Sequence, residues 1–421
     1  MDILIKNALI ADQNSSFNGQ KKDVLIQDGV ITVINTIIDD KADTVIDHNN
    51  LVISNGWVDL FAHFNEPGYE HREIIETGIA TAKEGGYTQV FLVPNTNPVV
   101  QNKSIIEFIK LKSAGKGINL LPIGAATKDL EGKDLAEMWE MHEAGAIAFG
   151  DGLNSIQSGG LMLKALQYIK AFDGTLIQLP IEKSIGTYGL VNEGIISTQM
   201  GLPGIPSIGE HSIIKRDIDL LRYTESKLHI TGISTAESLA LIKEAKAEGL
   251  NISCSVTPYH LMLCDEDLTD YDTNLKVNPP LRTKKDVEAL KLGILDGTID
   301  SIASHHFPQH WDNKTCEFEY AKFGIAGLQS AFNIVQTAIP ELTALQIAGL
   351  FSNNARKLFK LETSSIEIGA KAYITMFTQQ GNTIFTKEMN KSKSLNSPFF
   401  SKPLNGKVIG TIYNKSLNIN K

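Results

Sequence analysis

Apolar positions along this chain change their spacing twice. Over residues 1–55 they form short runs, Ile3–Ile10 and Val24–Ile34, with a hairpin-turn pair at Asp28-Gly29, which predicts strands. From Gly56 each strand-like run is followed by a segment of helical spacing. Val58–His63 precedes a helix predicted over Arg72–Glu84, and Gln89–Val93 precedes one over Ser104–Lys112. Further strands are predicted at Ala146–Phe149, Thr175–Leu179, Lys227–Ile233, Asn251–Val256 and Ile299–Ser304. After about Leu361 strands return at Ala372–Phe377, Asn382–Thr386 and Lys407–Tyr413, and the Ser-, Asn- and Lys-rich stretch Lys387–Phe400 reads as loop. Such alternation predicts a parallel sheet closed into an α/β barrel.

Composition narrows the picture further. A chain of 421 residues that is 42% hydrophobic and 21% charged has an ordinary soluble composition and enough apolar residues for a large core. The net charge of −9, with no basic cluster, argues against nucleic acid or an anionic membrane as partner. Cys254, Cys264 and Cys316 form no Cys-x-x-Cys pair, so a zinc ribbon is not indicated. Few cysteines, a strand-like start without a basic leader and no membrane-length apolar run lead to the expectation of a cytoplasmic protein.

The candidate chemistry begins at Asp59-Leu60-Phe61-Ala62-His63-Phe64-Asn65-Glu66-Pro67-Gly68. On a strand, positions 59, 61 and 63 share one face, and two histidines at 61 and 63 would grip one metal ion together. Here only His63 can ligate. The segment resembles the start of the dihydroorotase barrel, in the amidohydrolase superfamily, where members read Asp-x-His-x-His-x-Arg-Glu-Pro-Gly. The resemblance continues in family order through Glu76-Thr77-Gly78, Gly85-Gly86-Tyr87-Thr88, Pro94-Asn95-Thr96-Asn97-Pro98, Ser234-Thr235-Ala236-Glu237-Ser238 and Thr257-Pro258-Tyr259-His260-Leu261. It is densest at Lys276-Val277-Asn278-Pro279-Pro280-Leu281-Arg282 and Asp296-Gly297-Thr298-Ile299-Asp300-Ser301-Ile302-Ala303. It implies a TIM-like (β/α)8 barrel of the metal-dependent hydrolase type over 56–361, with a small β-sandwich subdomain built from 1–55 and 362–421.

In an α/β barrel, function sits at the carboxyl ends of the strands. The resemblance implies a two-zinc centre there, a metal-bound hydroxide that opens the ring amide of dihydroorotate, and an Asp on the last strand that handles the proton. Position by position, this chain departs from that set. Phe61 stands where the first His is expected, while His63 keeps the second. Asp151 fits the bridging carboxylate. Gln178 and Gly232 replace two further histidines, and His305 replaces the catalytic Asp. Gln309 replaces the last His of the motif, and Asn65 the carboxylate-gripping Arg. Asn95 and Asn278 are in place as substrate contacts.

Bland readings stand beside these. His63 also reads as a hydrogen-bonded core histidine, Asp151 as a turn residue, His305-His306 as a satisfied pair, and Phe61 as a filler of the space a metal vacates. Two functions therefore remain open. One is a non-catalytic dihydroorotase homologue with no metal, a homo-oligomer that partners aspartate carbamoyltransferase in pyrimidine synthesis. The other is a working cyclic-amide hydrolase, a dihydroorotase or a hydantoinase or allantoinase relative, with one zinc ion on His63, Asp151 and His305.

Overall fold

The computed structural model describes residues 1–362 and 364–420; Thr363 and Lys421, which fall within the expected subdomain, lie outside the described residues. Eight parallel strands form the central sheet: Trp57–Ala62, Tyr87–Leu92, Asn119–Gly124, Ala148–Phe149, Leu176–Gln178, Leu228–Ile230, Ile252–Val256 and Ser301–Ile302. The first and last meet beyond the last strand's end, where Ala62 bridges His306 and the His63 N–H donates to the His306 carbonyl at 2.8 Å. The carboxylate of Asp59 reinforces that seam by accepting from the Ser304 N–H and hydroxyl, both at 2.7 Å. Helices follow the strands, among them Ile75–Glu84, Lys103–Ser113, Gly159–Lys170, Ile208–Thr224, Ala236–Ala247 and Lys284–Leu295. The barrel fold expected from the alternation is the one found.

Two local departures have simple causes. The strand Asn119–Gly124 escapes the hydrophobic pattern because Pro122 interrupts its apolar run; the carbonyl of Pro122 still accepts from the Ile147 N–H at 3.0 Å. The helix expected from Arg72 starts at Ile75. Glu66 accepts from the Ile75 N–H at 2.8 Å, so the first turn is capped there, and Glu73 turns inward instead.

Both termini build one eight-stranded sheet. Tyr373–Ile384 runs antiparallel to Val52–Asn55 and to Pro403–Tyr413, and the strand expected in two pieces, 372–377 and 382–386, is one strand with an irregularity between Thr378 and Asn382. The expected sandwich is thus a single sheet wrapped around its own core, in which Ile3, Ile5, Val24 and Ile53 pack with Ile374, Met376 and Ile412. Trp57 fastens it to the barrel. Its backbone N–H donates to Thr375 Oγ1 at 3.0 Å, and its ring packs with centroids 4.8–5.3 Å from those of Phe351, Phe332 and Phe377.

The segment 387–400 is irregular, as its composition suggests, yet it is not a free surface loop. Ser392, Ser394, Asn396 and Phe399 are buried. Ser392 donates to the buried carboxylate of Glu73, the Lys393 N–H donates to the same carboxylate at 3.1 Å, and Ser394 donates to the Arg72 carbonyl at 2.7 Å. The segment is thereby pinned over one side of the barrel mouth.

Candidate functional site

A cavity of about 190 Å³ opens at the carboxyl ends of the strands, lined by Leu179, Tyr259, Asn278, His305, Phe307 and Phe323 among others. Its floor carries the residues singled out from the sequence. Strand alternation does turn Asp59, Phe61 and His63 into the barrel, where all three are buried.

His63 is a core histidine by its hydrogen bonds. Nδ1 accepts from the Asn65 N–H at 3.0 Å, so Nε2 carries the proton and donates to the Asn95 carbonyl at 2.8 Å. Burial holds the ring neutral, down at about 3, and the charge of Arg72 acts in the same direction. Asp151 is similarly engaged. Oδ1 accepts from the Thr127 N–H at 2.9 Å and Oδ2 from the Thr127 hydroxyl at 2.6 Å. Burial pushes its carboxyl up, partly offset by those two bonds.

Phe61 stacks on His305, ring centroids 4.3 Å apart. His305 has a positive φ of 45°, a conformation uncommon outside glycine, which turns its ring towards Gly232. A Cβ on Gly232 would come within 2.5 Å of the His305 Cε1. The loss of a side chain at 232 and the imidazole at 305 are therefore two halves of one packing solution. Gln178, in place of another His, is tied into an amide network: it accepts from the Ile156 N–H at 3.3 Å and donates to Asp217 at 3.2 Å. Gln309 donates to the Phe323 carbonyl at 2.8 Å and accepts from Asn313 at 3.2 Å.

The trio His63, Asp151 and His305 is thus not assembled as a ligand set. Among the described residues no group of three His, Cys, Asp or Glu side chains is placed to hold a metal ion. The donor chemistry agrees: His63 has no ring nitrogen to spare, and both oxygens of Asp151 accept from Thr127. These residues do not fit the zinc centre that the family resemblance implies.

Of the expected substrate contacts, Asn278 lines the cavity. Asn95 is consumed by structure, donating to the Asp151 carbonyl at 3.1 Å and accepting from the Leu153 N–H at 2.9 Å. Asn65 is fully buried at a φ of 60°, and its Oδ1 has no partner among the described residues. It supplies no grip for a carboxylate at the cavity.

The sequence reading missed a polar chain inside the barrel. Ser253 Oγ lies 2.8 Å from His229 Nδ1, and His229 Nε2 lies 3.0 Å from Ser255 Oγ. Ser255 Oγ lies 3.1 Å from Thr231 Oγ1, which lies 2.8 Å from His305 Nε2. Burial keeps both imidazoles neutral, each at about 3. Every hydroxyl in such a chain donates one way and accepts the other, so the tautomer of His229 sets that of His305. The signal was present as His229-x-Thr231 and Ser253-x-Ser255, polar alternation on two strands whose neighbours are apolar; the register pairs His229 with Ser253.

Comparisons with known proteins agree with the fold. The family described as Dihydro-orotase-like matches residues 50–238. A protein named dihydroorotase from Caldanaerobacter subterraneus subsp. tengcongensis is 38% identical, covering 100% of this chain and 98% of its own. One from Acetivibrio thermocellus is 38% identical over 98% and 97% of the two chains. Among solved structures, the L-hydantoinase (dihydropyrimidinase) from Arthrobacter aurescens superposes with a TM-score of 0.86 at 21% identity, covering 100% of this chain and 96% of that one.

Proposed function

Because the chain belongs to the dihydroorotase family, we propose that it is a member whose mouth no longer supports metal-assisted ring opening and which persists as a structural or regulatory partner of aspartate carbamoyltransferase. Membership itself supports a place in cyclic-amide chemistry of pyrimidine metabolism. One observation supports this reading: the two family ligands that survive in sequence are already engaged, His63 through both ring nitrogens with Asn65 and Asn95 and Asp151 through both oxygens with Thr127.

What the chain's own residues do at the mouth is exclude and pack. Phe61 and His305 fill the floor as a stacked pair, and Gly232 makes room for that ring. Apolar walls from Leu179, Phe307 and Phe323 leave Tyr259, Asn278 and His305 as the residues with polar groups at the cavity. Among the described residues, none of those lining the cavity is a carboxylate that would take a proton from water. The scaffold role, with self-association through the outer helices, draws support from apolar side chains exposed on that ring, Leu111, Tyr223 and Leu292.

The test joins metal analysis of the purified chain, a dihydroorotate hydrolysis assay with added zinc, and light scattering with its own organism's carbamoyltransferase. The reading expects no turnover and a mixed complex. The same family membership accommodates an active single-metal cyclic-amide hydrolase, of dihydroorotase, hydantoinase or allantoinase type. Turnover near ~10 per second with one equivalent of bound metal would establish that alternative.

A further inference from the structure

A second cavity, of about 370 Å³, lies beside the mouth, between His71, Asn274, the stretch Gln309–Thr315 and the pinned segment Lys393–Asn396. It shares no lining residue with the mouth cavity. In its wall lies Lys314, a lysine only 9% exposed. Lysine is rarely buried without a carboxylate partner, yet the partners of this Nζ among the described residues are carbonyls, Thr273 at 2.8 Å and Lys276 at 3.5 Å. The neighbouring Lys276 is buried in the same way. It donates to the carbonyls of Phe318 and Glu319 at 2.7 and 2.9 Å, with its ammonium over the rings of Phe318 and Phe323.

Two amines taken out of water side by side destabilise each other's charge. Burial, then Lys276, brings Lys314 down to about 7; Asp272 and Cys316 pull weakly the other way. A neutral amine can give both its protons to the two carbonyls and keep its lone pair. The rest of the lining favours an anion. It holds no Asp or Glu, whereas His71 and His310 face each other at 6.0 Å and Lys393 stands at the rim. Asp312, outside the lining, sits 3.1 Å from His310 Nδ1. Trp311, 66% exposed, offers a flat apolar face.

We propose that Lys314 is a carbonyl-capturing amine, and that small anionic aldehydes or keto acids enter this cavity and condense with its Nζ. The nitrogen lone pair forms the C–N bond, the carbonyl oxygen leaves as water with the two amine protons, and an imine remains; no oxidant or reductant takes part. Lys393, one of whose ammonium protons goes to the Glu70 carbonyl at 2.6 Å, and the two imidazoles are the N–H donors for the anionic group. The site is separate from the mouth, so the activity or inactivity of the mouth towards dihydroorotate leaves it untouched.

The test uses the full wild-type chain and pyridoxal 5′-phosphate as probe, with borohydride trapping and peptide mass spectrometry. At pH 7 a lysine lowered to about 7 is neutral about a thousandfold more often than an exposed one; allowing for its weaker intrinsic nucleophilicity, Lys314 should label about tenfold faster than exposed lysines. Its rate should rise through a midpoint near 7, and inorganic phosphate should slow it. In Lys314→Met the fast component should vanish. Labelling of Lys314 no faster than the exposed lysines would overturn the proposal. Equal rates with unphosphorylated pyridoxal and no protection by phosphate would overturn its anionic part.

Discussion

Gly232→Ala isolates the packing of His305 against Gly232 on the floor of the mouth. The perturbation has two parts. Gly232 has a φ of 68°, where a Cβ costs about 1–2 kcal/mol, and the stiffer unfolded chain returns about 0.4–1 kcal/mol of that. The new Cβ also meets the His305 ring at 2.5 Å, and that ring is held between Phe61 and the 2.8 Å bond to Thr231. Displacing it adds an overpacking cost of about 1–3 kcal/mol, including any loss of that hydrogen bond. The total is about 3 kcal/mol, read as a shift of the urea midpoint at constant slope. A double-mutant cycle then separates the parts. In a His305→Ala background the clash is gone, and the added cost of Gly232→Ala should fall to about 1 kcal/mol, the backbone part alone. Equal costs in the two backgrounds would refute the reasoning, because the ring would then not be what the Cβ strikes.

Phe61→His alone should not create a stoichiometric zinc site, since His63 and Asp151 remain engaged and Gln178 and Gly232 still differ; one equivalent of zinc by elemental analysis would contradict the account of the site. His63, His229 and His305 are held neutral at about 3 and His260 at about 4, while the unfolded chain protonates them at the ordinary 6.5, so their contribution is present above that pH and is lost as pH falls. Asp59, raised to about 7, and Asp217, raised to about 6, oppose this over the same range, being stabilising at low pH and losing it as pH rises. Asp151, Asp265, Asp300 and Glu84 are raised too, less strongly; the four histidines carry the larger combined shift, so urea midpoints should drop between pH 7 and pH 5, and a flat or rising profile would count against buried neutral histidines. His229→Leu should shift the ring nitrogen resonances of His305, because Ser255 and Thr231 link the two side chains by hydrogen bonds; unchanged resonances in histidine-labelled protein would remove the coupling between them.

Much of the architecture was legible in the order of residues, because strand and helix follow from local periodicity; closure of the barrel rests on contacts such as Asp59 with Ser304, far apart in sequence. The spacing of apolar runs predicts strand–helix alternation, and positions 59, 61 and 63 must share a face whatever surrounds them. The substitutions at 61, 65, 178, 232, 305 and 309 were also visible, since they are chemical identities. What those side chains do instead depended on neighbours far away in sequence. Whether His63 could still ligate turned on a carbonyl 32 positions later, at Asn95. The space beside Gly232 is filled by His305, from just beyond the last strand, and the serine-rich segment near 392 is buried because Glu73 offers it a carboxylate. Lys314 was one charged residue among many until folding removed its water and placed Lys276 beside it. Periodicity is a property of the local chain, whereas the protonation and hydrogen-bond partners of a buried group are set by everything that closes around it, and only the tertiary structure decides that.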